Sequence, residues 1–495
     1  MAQSARKILS LALPLCFTVL CVGLGVGPGA ALAAAPPRSR TGLPPGIRPY
    51  VVVAAPAVAL EHVWVLDGTG RAERKDQTLI LAHGRIVALG PAAAVHVPAG
   101  ARVLNLRGDT VIPGLVGMHD HMFYPAGRRL ALYNEQGYSF PRLYLAAGVT
   151  TLRTTGAVEP YTDLALRHWI AAGRMPGPDI IVTGPYLEGA GAYTPNMHEL
   201  TGPADATRTV DYWAAEGFHT FKAYMHITRA ELAAAIAAAH AHHATITGHL
   251  CAVGFQEAAR LGIDDLEHGL LIDTEFDPGK RPDVCPPQAE TARTLSRMHV
   301  SGARIQRTLR VMVRRHVALT STLPVFETFA PHRPPLESRV LLAMSPEAQV
   351  AYLAVRRRIG EQTHSPWPAL LRKEMEFERD FARMGGLLMA GEDPTGYGGD
   401  LAGFGDQREM ELLVQAGFSP AQAVQIYSEN GARFLGMARR IGTLAPGKAA
   451  DVVVVRGNLG RDIAAIEQVQ LVFKDGLGYS PAKLLASVRG TVGRY

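Results

Sequence analysis

Between residues 111 and 393, short apolar runs with strand character alternate with helix-like stretches. No other feature constrains the fold of this chain as strongly. The runs cover residues 111–121, 149–156, 179–184, 220–224, 244–250, 264–269, 318–323 and 386–393. Alanine-rich, strongly helical segments follow several of them, such as ELAAAIAAAHAHH after the fourth and GFQEAARLG after the fifth. Strands joined by crossover helices pair in parallel, and eight such units predict an α/β fold closed as a (β/α)8 TIM-like barrel. An open doubly wound sheet is the competing layout, but no glycine-rich phosphate fingerprint follows the first run.

The flanks read differently. Residues 59–106 break into extended pieces (EHVWVLDGTG, QTLILAHGRIVALG, ARVLNL) separated by glycine-containing turns, and the C-terminus resumes that style in IGTLAPGKAADVVVV and QVQLVFKDG. These segments, 49–112 and 441–495, predict a small β-sandwich built from both chain ends around a barrel domain at 113–440. Two long inserts, 271–316 and 324–383, begin at strand ends, where lids and specificity elements are found.

Arg6 and Lys7 precede an apolar stretch that runs to about Gly29, and small residues follow at 30–35. That pattern predicts a signal peptide at 1–35, cleaved before a Pro/Arg-rich linker at 36–48. A membrane anchor is the competing reading of the same stretch. With the leader removed, the protein is expected to be periplasmic or secreted and free of the membrane. A hydrophobic share of 47% and a charged share of 19% are those of a globular protein. The net charge of +6 is spread along the chain and predicts no nucleic-acid partner. A small-molecule substrate and, optionally, a homo-oligomer remain. Cys251 and Cys285 survive leader removal and can pair in an oxidising compartment if their Cα atoms come close enough.

Six residues lie at or near the C-terminal ends of the apolar runs: His119 and His121 in GMHDH, Lys222 in TFKAY, His249 in TGHL, His268 in LEHG and Asp393 in AGED. In a barrel, alternate strand residues face inward and the C-terminal strand ends carry the chemistry. His119 and His121 are two apart and share a face, as do Lys222 and Tyr224. Singly, each histidine reads more readily as a core or turn residue, and a buried lysine as half of an ion pair. Together, four imidazoles and two oxygen donors suit zinc or a similar first-row ion, and shared between two ions they leave room for a bridging water. A neutral, desolvated Lys222 can also react with carbon dioxide to give a carbamate, which is a bidentate bridging ligand.

The motifs VIPGLVGMHDH, VTTLRTTG, FKAY, TGHL, EHG, GEDP and the closing GTLAPGKAADVVVV with VFKDG fall in an order that covers nearly everything after the leader. In this the chain resembles the amidohydrolase superfamily, in particular the imidazolonepropionase-related branch that includes Xaa-Pro dipeptidases and related carboxypeptidases. The resemblance implies two divalent ions, zinc first among them. His119, His121 and Asp393 would hold the more buried ion and His249 and His268 the second, with carboxylated Lys222 as the bridge. It also implies an amide hydrolase acting on dipeptides, those ending in proline above all, or on N-acyl amino acids. A cyclic-amide or ester hydrolase, or a mononuclear deaminase, is the alternative on the same fold. Asp393 would move the proton, and Tyr224 would either stabilise the oxyanion or pack the barrel mouth. Arg153, His198 and His226 are candidates for binding a substrate carboxylate. Arg153 can equally pair across the barrel, and His198 can lie in an exposed loop. Glu392 is bulkier than the residue relatives carry before the aspartate, and TLRTTG lacks an acidic residue that many of them have.

Overall fold

The computed structural model describes residues 42–126, 132–395 and 399–494. The expected leader, with Cys16 and Cys21, and the first part of the linker lie outside them. Among the described residues no helix is long and apolar enough to cross a membrane.

The central strands are parallel and follow chain order in two ladders. Leu115–Asp120 pairs with Val149–Thr154, which pairs with Asp179–Ile181. Tyr186–Leu187, Thr220–Ala223, Thr245–Gly248, Asp265–Glu267, Ala318–Ser321 and Leu388–Ala390 make the second ladder. Helices cover them, and their residues are almost all buried, which explains why they read as apolar runs rather than as alternating ones. The helix Arg229–Ala241 starts where Thr228 and Glu231 close a capping box, ahead of an alanine-rich stretch with high helix propensity. The expected strand 179–184 is shorter than predicted. Past Ile181 the ladder is interrupted, with an isolated bridge from Pro185 to Ala157 and a hydrogen bond from Gly184 N to Thr220 O, before strand pairing resumes at Tyr186. Proline has no N–H to give a ladder.

The expected first strand, 111–121, is two strands in two sheets. Thr110–Pro113 pairs antiparallel with Val452–Val455, and Leu115–Asp120 joins the parallel set. Gly114 makes the switch, its N–H bonded to Asp451 O at 2.9 Å. A Cβ at this position would run into the Thr150 side chain.

Strands from both ends of the chain share one hydrogen-bonded set of nine. The order is Val51–Val53, Leu477–Tyr479, Val469–Lys474, Val452–Val455, Thr110–Pro113, Ala57–Val65, Arg74–Ala82 and Arg85–Pro91. Arg102–Asn105 is the ninth strand. It shares an edge of Ala57–Val65 with Thr110–Pro113, pairing through Val58–Glu61 while the latter pairs through Trp64 and Val65. His62, at φ 62°, lies at the change of partner.

The inserts are smaller than the sequence predicts. Ala303–Arg314 packs on Phe255–Leu261 and leads into Ala318–Ser321, and Trp367–Arg383 leads into Leu388–Ala390, so both are crossover helices. What is added is the chain from 269 to 302, with the helix Gln288–Arg297, and the chain from 323 to 366, with three helices.

Cys251 and Cys285 form a disulfide, with Cα atoms 4.9 Å apart, between the loop after Thr245–Gly248 and the first insert. Thr274 Oγ1 and Lys280 Nζ donate to Cys251 O at 2.6 and 2.7 Å on the same loop. The bridge closes a loop of 34 residues. Reduction, or Cys285→Ser, should lower unfolding free energy by about 3–4 kcal/mol on chain-entropy grounds. Urea titrations with and without reductant measure this directly, and coincident midpoints would contradict it.

Candidate metal centre

All six residues singled out in the sequence meet at the C-terminal ends of the parallel strands. His121 Nε2 lies 3.4 Å and His119 Nε2 3.8 Å from Asp393 Oδ1, while His268 Nε2 lies 3.8 Å from Asp393 Oδ2. Lys222 Nζ is 3.4 Å from His119 Nε2. The His249 and His268 rings meet edge to face, with centroids 4.3 Å apart. His268 and Asp393 both have positive φ, 67° and 59°, which is uncommon for residues with a side chain and is found at sites the surrounding fold holds in place.

The ring partners fix which nitrogen faces the cluster. A carbonyl can only accept, so the contact of His121 Nδ1 with Gly156 O at 3.2 Å puts the proton on Nδ1 and leaves the Nε2 lone pair toward Asp393. His119 Nδ1 donates to Glu267 Oε2 at 2.6 Å with the same consequence. His268 Nδ1 contacts Thr322 Oγ1 at 2.7 Å, and its Nε2 is buried without a hydrogen-bond partner. Metal-binding histidines are oriented in this way by the partner of the other ring nitrogen. His119, His121 and Asp393 present donor atoms within 4.8 Å of one another and can hold a divalent ion. The inward orphan nitrogen of His268 fits the same use.

Burial dominates the electrostatics. It holds the imidazoles of His119 and His268 well below their ordinary value, assisted by Lys222 for the first and by His249 for the second, and lowers His249 to about 3. His121 is lowered too, by burial against the opposing pull of Asp393. Burial lowers Lys222 to about 8, against the pull of Glu267 and Asp393. The neutral amine that can take up carbon dioxide is thus accessible near neutrality. For Asp393, burial favours the acid, but His119, His121 and Lys222 together outweigh it and keep the carboxylate ionised.

These shifts set a pH dependence. In the metal-free protein an unfolded histidine takes up a proton near pH 6.5, whereas folded His249 resists until about 3. The unfolded chain therefore binds more protons across that window, and stability falls as pH falls through it. The expected slope is about 1.4 kcal/mol per pH unit for each buried imidazole. Urea midpoints of chelated protein and of its His249→Asn variant between pH 7 and 5 isolate this contribution from the opposite one of buried carboxylates such as Asp265 and Glu374. Identical slopes would contradict the assignment.

The other expected contacts divide. Arg153 is fully buried and does not face a substrate. Its guanidinium bonds Met118 O, Asp265 Oδ2 at 2.8 Å and Glu267 Oε1 at 2.9 Å, and so sits behind His119, held through Glu267. The clamp role is corrected on that ground: the guanidinium is taken up by buried carboxylates, which is the pairing weighed as its alternative. His198 is also corrected. It is exposed, as its alternative reading has it, and reaches Asp205 at 3.2 Å in the first turn of the helix Pro203–Ala215. His226 is half-buried, with Glu188 Oε2 3.4 Å from Nδ1 and Glu188 Oε1 accepting from its backbone N–H. Its hydrogen bond with that carboxylate raises its imidazole above the ordinary value. The Tyr224 ring packs edge-on against His249 at 5.0 Å and against Tyr186 at 4.8 Å.

Sequence reasoning passed over Glu267, Thr322, Phe123 and Tyr186. Phe123 stacks on His121 at 4.4 Å, and Tyr186 stands 6.4 Å from the same ring. The alternation His119, His121, Phe123 on one side of the chain was the available signal for the first. Glu267, beside His268 in LEHG, gave none that separated it from a surface acid.

The amidohydrolase family model matches residues 110–477. Imidazolonepropionase of Stenotrophomonas maltophilia (strain R551-3) is 35% identical over 103 residues, a stretch covering 20% of this chain and 25% of that protein. The chain thus aligns with about a quarter of its curated relative. Two solved structures share the fold at low identity. A Xaa-Pro dipeptidase with bound methionine in its active site is 17% identical, with a TM-score of 0.63 over 86% of this chain and 100% of that one. A prolidase complexed with N-methylphosphonate-L-proline is 19% identical, with a TM-score of 0.61 over 86% and 99%.

Proposed function

This chain belongs to the amidohydrolase family, and from that premise we propose that it is an exported binuclear hydrolase cleaving an amide bond in Xaa-Pro-type dipeptides or N-acyl amino acids. One observation carries the reading: four imidazoles and Asp393 converge, with the Nε2 lone pairs of His119 and His121 turned inward, around a buried Lys222. His119, His121 and Asp393 would hold one ion, His249 and His268 a second, and carboxylated Lys222 would bridge them. Nitrogen and oxygen donors favour zinc. Metal held by these residues would supply an acidified water and polarisation of the scissile carbonyl.

The chain's own groups supply the rest. Asp393, ionised, accepts the proton of the attacking water and returns it to the leaving nitrogen. Tyr224, beside His249, stabilises the oxyanion, and the imidazolium of His226 receives a substrate carboxylate. Phe123 and Tyr186 exclude water from one side. We read the two parallel ladders as one eight-stranded barrel in which Asp179–Ile181 and Tyr186–Leu187 are two parts of the third strand. Hydrogen bonds across their seams, Asp393 N to His119 O at 3.0 Å and Gly184 N to Thr220 O at 3.0 Å, support this. The flanking segments 49–112 and 441–495 would then be one accessory β domain. The disulfide suits a periplasmic or secreted enzyme.

The likeness to imidazolonepropionase favours a second reading, a cyclic-amide hydrolase or deaminase working with one ion. Hydrolysis of a dipeptide and N-acyl amino acid library by the zinc-loaded mature enzyme, followed by mass spectrometry, tests the first. Release of amino acids from a defined series is expected, and no cleavage with metal bound would reject it. Lys222→Ala separates the two readings. The binuclear reading expects the metal content to drop from two ions to one and kcat to fall at least tenfold, whereas full activity would favour the single-ion enzyme.

A further inference from the structure

Behind the metal centre, on the opposite side of the same two strand ends, lies a set of carboxylates that the hydrolytic chemistry does not use. Asp120 stands between His119 and His121, and Glu392 precedes Asp393. Strand alternation turns these side chains away from the ligands. Oxygens of Asp120, Glu392 and Asp406 lie within 4.8 Å of one another, and all three residues are fully buried. Asp406 is organised by Tyr427 Oη, donating at 2.7 Å from a π-helical turn, and by the Gly403 N–H at 2.9 Å.

A fourth carboxylate, Asp400, is an independent pointer to a ligand. It is 3% exposed, and neither of its oxygens has a hydrogen-bond partner. It is aimed at the Glu392 edge of the cluster, since a Cβ on Gly405 would strike both Asp400 Oδ1 and Glu392 Oε2. Gly117 likewise leaves space for the Asp120 carboxylate, which faces the Glu392 backbone N–H but makes no hydrogen bond of ordinary geometry. The strongest electrostatic influences on Asp400, after burial, are further carboxylates: Asp393, Asp406, Glu409 and Glu327. Arg153 acts on Asp120 from a distance, but its guanidinium is committed to Asp265 and Glu267. A buried, unpaired carboxylate is costly, so convergent ones call for a cation or shared protons.

We propose that Asp120, Glu392, Asp400 and Asp406 form a second cation site, built from oxygen alone, that takes a calcium-sized ion. Calcium takes about six to eight oxygen ligands in flexible geometry and is held by protein carboxylates, whereas magnesium keeps most of its waters, so a buried all-carboxylate set suits calcium better. The lack of nitrogen and sulfur donors separates the site from the histidine centre a few ångströms away. The ion would tie the backs of the HDH and GED strand ends together and so hold His119, His121 and Asp393 in place from outside the reaction.

The test is elemental analysis and equilibrium dialysis of the full mature chain, with its histidine site loaded with zinc, against calcium alone. One calcium per chain is expected in addition to the zinc. The thermal midpoint should rise by a few degrees at saturating calcium, and Asp400→Asn should weaken calcium binding at least tenfold with zinc content unchanged. Absence of bound calcium and of a midpoint shift in the unmutated protein would overturn the proposal, leaving a proton-sharing cluster. So would wild-type calcium affinity in Asp400→Asn. If that variant does not fold, the unmutated protein decides alone. Because the readout is calcium content, the outcome does not depend on which bond the enzyme hydrolyses.

Discussion

Asp393→Asn is expected to lower kcat by about 10³–10⁴-fold while the protein stays folded. Asp393 is where the imidazoles converge, its two oxygens reached by His119, His121 and His268 within 3.8 Å. Its carboxylate stays ionised despite burial because His119, His121 and Lys222 outweigh the desolvation. Asparagine preserves the shape and one oxygen donor, and tolerates the left-handed backbone at φ 59° better than most residues. What it removes is the proposed acceptor of the water's proton. Kinetics should be read beside circular dichroism and metal content. A variant that keeps its metal and turns over within tenfold of the unmutated enzyme would eliminate Asp393 as the proton carrier.

Arg153→Met should cost about 3–5 kcal/mol of folding free energy, the range for removing one partner of a buried ion pair. The guanidinium is the cation between Asp265 and Glu267, both fully buried, and it also ties Met118 O beside the first ligand. Methionine fills much of the volume but leaves two carboxylates facing each other. Burial and the nearby Glu267 already push Asp265 up to about 7 with the arginine present. Since Glu267 also holds the His119 ring, metal affinity should fall together with stability. Denaturant titration and metal content measure both. A loss under about 1 kcal/mol would mean that the carboxylates are neutral and the pair carries little charge.

The identities of the candidate ligands were legible because strand geometry is local. A residue two positions on lies on the same face, and a polar side chain closing an apolar run lies at a strand end whatever the rest of the chain does. That reasoning reaches His119, His121, Lys222, His249, His268 and Asp393 without any knowledge of the fold. It also reaches the pairing of both chain ends, from the style of their turns and short extended runs.

Tertiary structure decided what depends on contacts between distant parts of the chain. Arg153 reads the same from sequence whether it clamps a substrate or meets carboxylates 112 and 114 residues later, and only the packing puts it behind His119. The run 111–121 looks like one strand because hydrogen-bond partners leave no mark on hydrophobicity. Asp451 and Val452–Val455, far along the chain, draw its first part into another sheet at Gly114. The gathering of Asp120, Glu392, Asp400 and Asp406 has the same origin. Each is an ordinary acid in sequence, and their shared burial exists only once the strand ends and the helix Phe404–Gln415 have come together. Local periodicity thus determined which residues reach the site, and long-range packing determined which of them face it.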